Sequence, residues 1–127
     1  MIVVYGIKES LGPVKAELSR IIHHCMQTAL GLPEDKKAQR FIPMEKADFY
    51  IPGGRSDAYT VIEINIMQGR KEETVKTLIK ALFTTIESEL GIAPADIEIT
   101  VKEQPPYCWG FRGMTGDEAR LNYDIKV

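Results

Sequence analysis

The feature that most constrains this chain is an internal duplication of its sequence pattern. The segment Leu30–Asp35 (Leu-Gly-Leu-Pro-Glu-Asp) resembles Leu90–Asp96 (Leu-Gly-Ile-Ala-Pro-Ala-Asp), which begins 60 residues later. Each copy follows a stretch with apolar residues every three or four positions, which is typical of an amphipathic helix, and its glycine is typical of a helix end. We therefore expect two related units, at about 1–60 and 61–127.

Each unit also contains two predicted strands, one before and one after its helix. In the first unit, Ile2–Ile7 is rich in β-branched and aromatic residues, and Arg40–Met44 follows the helix. In the second, Val61–Ile66 and Ile97–Glu103 alternate apolar and polar residues, so each strand has one apolar face. A helix that links two parallel strands of one sheet makes a right-handed crossover. The sequence therefore predicts an α/β (α+β) fold in which duplicated β-α-β units form one sheet, with two helices packed on one face.

The first helix is expected to begin around Pro13, because proline suits the first turn of a helix. Cys25 belongs to its apolar stripe and is predicted to be inert core. His23 and His24 are adjacent and point about 100 degrees apart, so they cannot form the i, i+4 pair that favours metal binding. We place both histidines on the helix surface and expect no metal site.

Composition narrows the classes of function. The 127 residues suffice for a single domain, 1–127, with its own core. The net charge is −2, without a basic block, which argues against nucleic-acid binding. The two cysteines, Cys25 and Cys108, show no metal-binding or disulfide spacing, and the apolar runs are too short for a signal peptide or a membrane span. We expect a cytoplasmic protein that binds neither nucleic acid nor a membrane.

Two helices cover only one face of such a sheet. The other face must meet water or another copy of the chain, so an oligomer is predicted. Between the two halves, residues 48–57 are rich in turn formers and are predicted to form a projecting loop. After a glycine-spaced segment, Leu121–Val127 is predicted to be a short closing strand.

Arginines and aromatic residues at turns are the candidate binding groups. Arg55, Arg70 and Arg112 each lie beside a glycine, where a guanidinium can bind a carboxylate or phosphate through two hydrogen bonds; a surface salt bridge is the alternative. Trp109 and Phe111 beside Arg112 suit an anionic organic substrate, although they could equally anchor a subunit interface. The glycines do not fit a nucleotide-binding loop, and we expect no cofactor.

Several segments together resemble the tautomerase superfamily, namely Arg40-Phe41, Asp48–Tyr50, Arg55–Tyr59, Gly69-Arg70 and Trp109–Gly113. The resemblance covers nearly the whole chain and is greatest to the long-subunit branch related to malonate semialdehyde decarboxylase and macrophage migration inhibitory factor. It implies a homotrimer with a small pocket at each subunit junction. Arg70 matches one of the paired arginines of the decarboxylase branch, whereas Gln68 replaces the other.

Members of this superfamily use an amino-terminal proline to carry a proton, and here residue 2 is isoleucine. Because a bulky Ile2 should prevent removal of the initiator methionine, the terminus is expected to be the primary amine of Met1. The sequence leaves open whether Met1 or Ile2 occupies the place of the proline. The pKa of such an amine is ordinarily about 7.7–8.0, and partial burial would let it exchange protons. Lys36 stands where the decarboxylase branch has an aspartate, with Asp35 one position early.

Two main hypotheses of function follow from the resemblance. The first is keto-enol isomerisation or a related proton transfer on a small carboxylated carbonyl compound, with Met1 as the base and Arg70 stabilising the enolate charge. The groups expected to bind the substrate are Arg70, Trp109, Phe111 and Arg112. The alternative is a non-catalytic trimeric member that binds a metabolite or protein and has lost the catalytic proline. A third possibility uses Cys108 as the base.

Overall fold

The computed structural model of the chain describes all 127 residues. Its main elements in chain order are β1 (Ile2–Ile7), α1 (Lys8–Leu30), β2 (Gln39–Met44), β3 (Thr60–Met67), α2 (Glu72–Leu90) and β4 (Ile97–Gln104). Two short strands, β5 (Gly110–Phe111) and β6 (Met114–Thr115), then form a hairpin. Single turns of 3-10 helix lie at Lys46–Asp48, Pro94–Asp96 and Pro106–Cys108.

The four long strands form one mixed sheet in the order β2-β1-β3-β4. Within each unit the strands that flank the helix are parallel, β1 with β2 and β3 with β4. The two units meet through the antiparallel pair β1 and β3, in which Ile2 lies opposite Ile64 and Val4 opposite Ile62. The predicted fold of duplicated β-α-β units with two helices on one sheet is thus confirmed.

One hydrophobic core lies between the helices and one face of the sheet. It contains 17 buried residues, among them Leu18 of α1, Leu78 of α2 and Ile64 of β3. On the opposite face of the sheet, Lys102 of β4 forms an ion pair with Glu63 of β3 at 2.9 Å. The sheet is therefore covered on one face only in the single chain.

Neither helix has a segment long and apolar enough to cross a membrane.

Helix α1 begins earlier than the sequence predicts. It starts at Lys8, directly after β1, and Pro13 lies inside it. Leu11 is only 2% exposed and packs against Gly6, so burial of this side chain draws the preceding turn into the helix. Pro13 gives up only the hydrogen bond to the carbonyl of Glu9, and both residues lie on the exposed side, where water can replace that bond.

The closing strand predicted at Leu121–Val127 is wrong, because this segment contains no strand. Its end is attached to the start of α2 instead of to a sheet edge. The main-chain oxygen of Val127 accepts hydrogen bonds from the Lys71 amide at 3.0 Å and from the Thr74 hydroxyl at 2.9 Å. No side chain caps this helix, so the tail satisfies donors there that a strand pairing would have left free. We call residues 117–127 the C-terminal tail.

Candidate functional site

A cavity of about 350 Å³ opens where β1 begins and β3 ends. Strand β1, strand β3, helix α1, the hairpin and the C-terminal tail all contribute to its wall. All five residues predicted for the site line this cavity: Met1, Arg70, Trp109, Phe111 and Arg112. Residues that are far apart in the sequence therefore meet at one end of the sheet.

The α-amine of Met1 is held in the cavity by the sheet. Its nitrogen donates a hydrogen bond to the Asn65 carbonyl at 2.7 Å. Burial lowers the pKa of this amine below its ordinary 8.0, and the positive charges of Arg40 and Arg70 lower it further. A neutral amine that donates one hydrogen to Asn65 keeps its lone pair, so it can accept a proton from a bound molecule.

Ile2 lies next to Met1 but offers no such group. Its amide nitrogen donates a hydrogen bond to the Ala38 carbonyl at 3.0 Å, and its side chain is 3% exposed, within the core. Of the two positions that the sequence leaves open, only Met1 carries a proton-accepting nitrogen at the cavity.

Arg70 is a buried cation in the cavity wall, with 9% of the residue exposed. Its Nη1 donates a hydrogen bond to the Met67 carbonyl at 2.8 Å, whereas its Nε is buried without a partner. Burial lowers the pKa of the guanidinium, while nearby Tyr123, Glu103 and Asp124 act in the opposite direction. In proteins, the Nε–Nη2 edge of a guanidinium can bind a carboxylate through two hydrogen bonds.

The hairpin supplies the aromatic wall. The Trp109 indole nitrogen donates a hydrogen bond to the Gln104 carbonyl at 3.3 Å, and the Arg112 guanidinium lies 5.1 Å from the centre of the Phe111 ring. Arg112 has a left-handed backbone, with φ of 53°, at the hairpin turn. A Cβ at Gly116 would overlap the Pro106 carbonyl, so the chain can fold back beneath Trp109 only because this residue is glycine.

The charged side chains that line the cavity are all basic. Its lining includes the side chains of Lys36, Arg70 and Arg112 but no aspartate or glutamate. Lys36, at the position that the decarboxylase branch gives to an acid, therefore adds a positive charge instead of a proton acceptor. An anionic molecule of small size matches this lining in charge.

The surface position predicted for His23 is wrong. His23 is 8% exposed and lines the cavity, and its Nε2 lies 2.9 Å from the Glu34 carbonyl oxygen. His24 is exposed as predicted. The i+3 neighbour of His23, Met26, also lines the cavity, so helical periodicity could have placed His23. Tyr123 was missed as well, and no periodic pattern could have found it, because the C-terminal tail is irregular.

The remaining candidates lie elsewhere. Cys25 is buried, and burial raises the pKa of its thiol, which makes the reactive thiolate scarce. Cys108 is exposed and does not line the cavity. Arg55 donates a hydrogen bond to the Gly53 carbonyl at 3.0 Å within the loop between the two units, and it too is absent from the cavity wall.

Comparison with known proteins identifies the family. Residues 36–112 match the family described as tautomerase enzyme, a match that ends before the C-terminal tail. The probable tautomerase YusQ of Bacillus subtilis (strain 168) is 31% identical over 100 residues, covering 75% of this chain and 79% of that protein. A structure of malonate semialdehyde decarboxylase gives a TM-score of 0.79 at 22% identity, covering 90% of this chain and 92% of that one. The native fused 4-OT also gives 0.79, at 24% identity and with 91% and 95% covered. The chain belongs to the tautomerase family.

Proposed function

We propose that this protein catalyses proton transfer next to a carbonyl group, as in keto-enol isomerisation, on a small carboxylated compound. The observation that carries the proposal is that the Met1 amine, with its lowered pKa, and the buried guanidinium of Arg70 line the same cavity. A proton acceptor and an anion-stabilising cation are the two groups that this reaction requires.

Met1 acts as the base. In the keto-to-enol direction its neutral amine takes a proton from the carbon next to the carbonyl, and the electron pair of that C–H bond forms the C=C bond. The carbonyl oxygen then takes that proton from the Met1 ammonium, and in the enol-to-keto direction the neutral amine takes the enol hydroxyl proton and passes it to the carbon. The hydrogen bond from Met1 to the Asn65 carbonyl keeps the nitrogen in place during this step.

Arg70 binds and stabilises negative charge. Because it is buried, its interaction with an anion is stronger than in water, and such a contribution is about 3–4 kcal/mol in sites of this kind. Lys36 and Arg112, which also line the cavity, attract the anion toward it. Trp109 and Phe111 supply the apolar wall for the carbon skeleton.

We propose in addition that the working form is a cytoplasmic homotrimer of single-domain subunits, 1–127. The sheet face that no helix covers supports an assembly of copies. One solved structure similar to this chain, at 22% identity and a TM-score of 0.80, is described as a fused 4-OT asymmetric trimer. Light scattering at several concentrations tests this state, and a monomer at all concentrations would contradict it.

A keto-enol assay with phenylenolpyruvate tests the function. We expect turnover by the wild type, a loss of at least roughly a hundredfold in Arg70→Ala, and a similar loss after acetylation of the Met1 amine. Arg20→Ala is the matched control, because Arg20 is an exposed arginine of α1 paired with Glu17 and Glu89. The intact mass must show a free amine on Met1. Turnover that survives both treatments would overturn the proposal, and binding of the enol acid without turnover would favour the non-catalytic alternative.

A further inference from the structure

The C-terminal tail forms part of the cavity wall. It contributes Leu121 and Tyr123 to the lining. Hydrogen bonds from Lys71 and Thr74 to the main-chain oxygen of Val127 attach its end to the start of α2. The tail lies outside residues 36–112, the segment that matches the family.

Gly69 lets the tail pass close to Arg70. A Cβ at Gly69, whose φ is 149°, would lie 3.0 Å from the Ile125 carbonyl oxygen and 3.3 Å from the Ile125 Cγ1. A side chain here would therefore push the tail away. The tail then reaches the cavity wall that contains Arg70, where Tyr123 lines the same cavity.

The guanidinium of Arg70 has an unused hydrogen-bond donor. Its Nη1 is engaged by the Met67 carbonyl, but the buried Nε has no partner. A buried donor without a partner is costly and rare, which indicates that an anion completes the site. Tyr123 is close enough to the guanidinium to raise the pKa of Arg70 through its charge and through side-chain hydrogen bonding, yet its hydroxyl does not bond to Nε. The phenol therefore lies at the guanidinium, in the same cavity wall, and leaves Nε without a partner.

We propose that Tyr123 is a further substrate-binding residue, whose hydroxyl donates a hydrogen bond to the carboxylate bound at the Nε–Nη2 edge of Arg70. The hydrogen bond that a phenol donates is stronger when the acceptor is charged. Tyr123 therefore favours a carboxylate over a neutral amide of the same shape. This inference rests on the proposed function for the presence of a carboxylate in the substrate. It adds the residue that selects for that group.

Binding can be measured without turnover, because Trp109 is the only tryptophan and lines the cavity. We would titrate its fluorescence with 3-phenylpropanoate and with 3-phenylpropanamide, using wild type, Tyr123→Phe and Tyr50→Phe. Tyr50 is the matched control, since it is 93% exposed and absent from the cavity wall. We expect the Kd for the carboxylate to rise roughly tenfold or more in Tyr123→Phe alone, with the Kd for the amide unchanged. In the enzyme assay, KM should rise while kcat stays the same.

The outcomes separate this inference from the proposed function. An unchanged carboxylate Kd in Tyr123→Phe, with weaker binding in Arg70→Ala, would overturn the role of Tyr123 and leave the proposed function standing. An equal loss for carboxylate and amide would also overturn it, because it would indicate a packing role. Carboxylate binding that depends on Tyr123, without turnover of any enol acid, would support the inference and contradict the proposed function. Thermal unfolding of Tyr123→Phe at the wild-type temperature would establish that the variant is folded.

Discussion

Met1 and Asn65 exchange two backbone hydrogen bonds: the α-amine of Met1 donates to the Asn65 carbonyl at 2.7 Å, and the Asn65 amide donates to the Met1 carbonyl at 2.8 Å. This pair continues the antiparallel ladder of β1 and β3 one residue beyond Ile2 and Ile64. These are the equivalent first strands of the two units. The duplication of the fold therefore creates the place that fixes the amine, and a fixed amine loses little freedom when substrate binds.

The pH profile of the reaction should report the Met1 amine. Its pKa is lowered by burial and by the charges of Arg40 and Arg70, and the neutral form is the base. Activity is therefore present above this lowered pKa and is lost as the pH falls through it, so kcat/KM should have an acidic limb centred below 8.0. Arg40→Gln removes one of the positive charges and should move the limb to higher pH. A limb that stays in place or moves to lower pH in this variant would contradict the assignment.

A proline at position 1 should preserve activity, whereas a proline at position 2 should destabilise the fold. A Met1→Pro chain, produced with an initiator methionine that is removed, places a secondary amine where it can still donate to the Asn65 carbonyl. We expect it to retain activity in the enol assay. Ile2→Pro loses the amide hydrogen bond to Ala38 and a core side chain, so we expect a stability cost of roughly 2–4 kcal/mol in urea unfolding.

The mass of each variant controls this comparison, because the expected terminus must be present before the rates are interpreted. If Ile2→Pro were the more active and the more stable of the two, the position assigned to the base would be wrong.

The fold was predictable from the sequence because its signals are local. The periodicity around Leu18 and Leu78 and the alternation around Ile64 directly reflect burial on one face of a helix or strand. The inward position of His23 was also readable in principle, from its spacing to Met26. Tyr123 was not, because its place depends on a close approach between Gly69 and Ile125 that no pattern in either segment encodes. Long-range contacts of irregular segments are the part of this site that sequence reasoning could not supply.

Replacing Arg70 by methionine should separate activity from stability. No carboxylate forms an ion pair with the buried guanidinium. Its removal therefore relieves a desolvation cost and loses the hydrogen bond to the Met67 carbonyl. We expect the free energy of unfolding to stay within about 1 kcal/mol of wild type or to exceed it. Turnover should fall by at least roughly a hundredfold. Urea unfolding and the enol assay measure the two quantities, with Arg20→Met as the exposed control.

A loss of several kcal/mol in Arg70→Met would show instead that Arg70 serves mainly to hold the fold. That result would contradict the assignment of the guanidinium to anion binding.

Substitution of Gly69 should disturb the site through the C-terminal tail. Alanine there has an unfavourable φ of 149° and a Cβ pressed against Ile125, so we expect a cost of roughly 1–3 kcal/mol in unfolding and weaker carboxylate binding by Trp109 fluorescence. Gly91→Ala is the matched control, because Gly91 also has a positive φ, of 68°, but its Cβ would meet nothing within 4 Å. The Gly91→Ala variant should be destabilised by about 1–2 kcal/mol, and its carboxylate binding should be unchanged. Equal binding losses in both variants would mean that general destabilisation, and not displacement of the tail from Arg70, weakens the site.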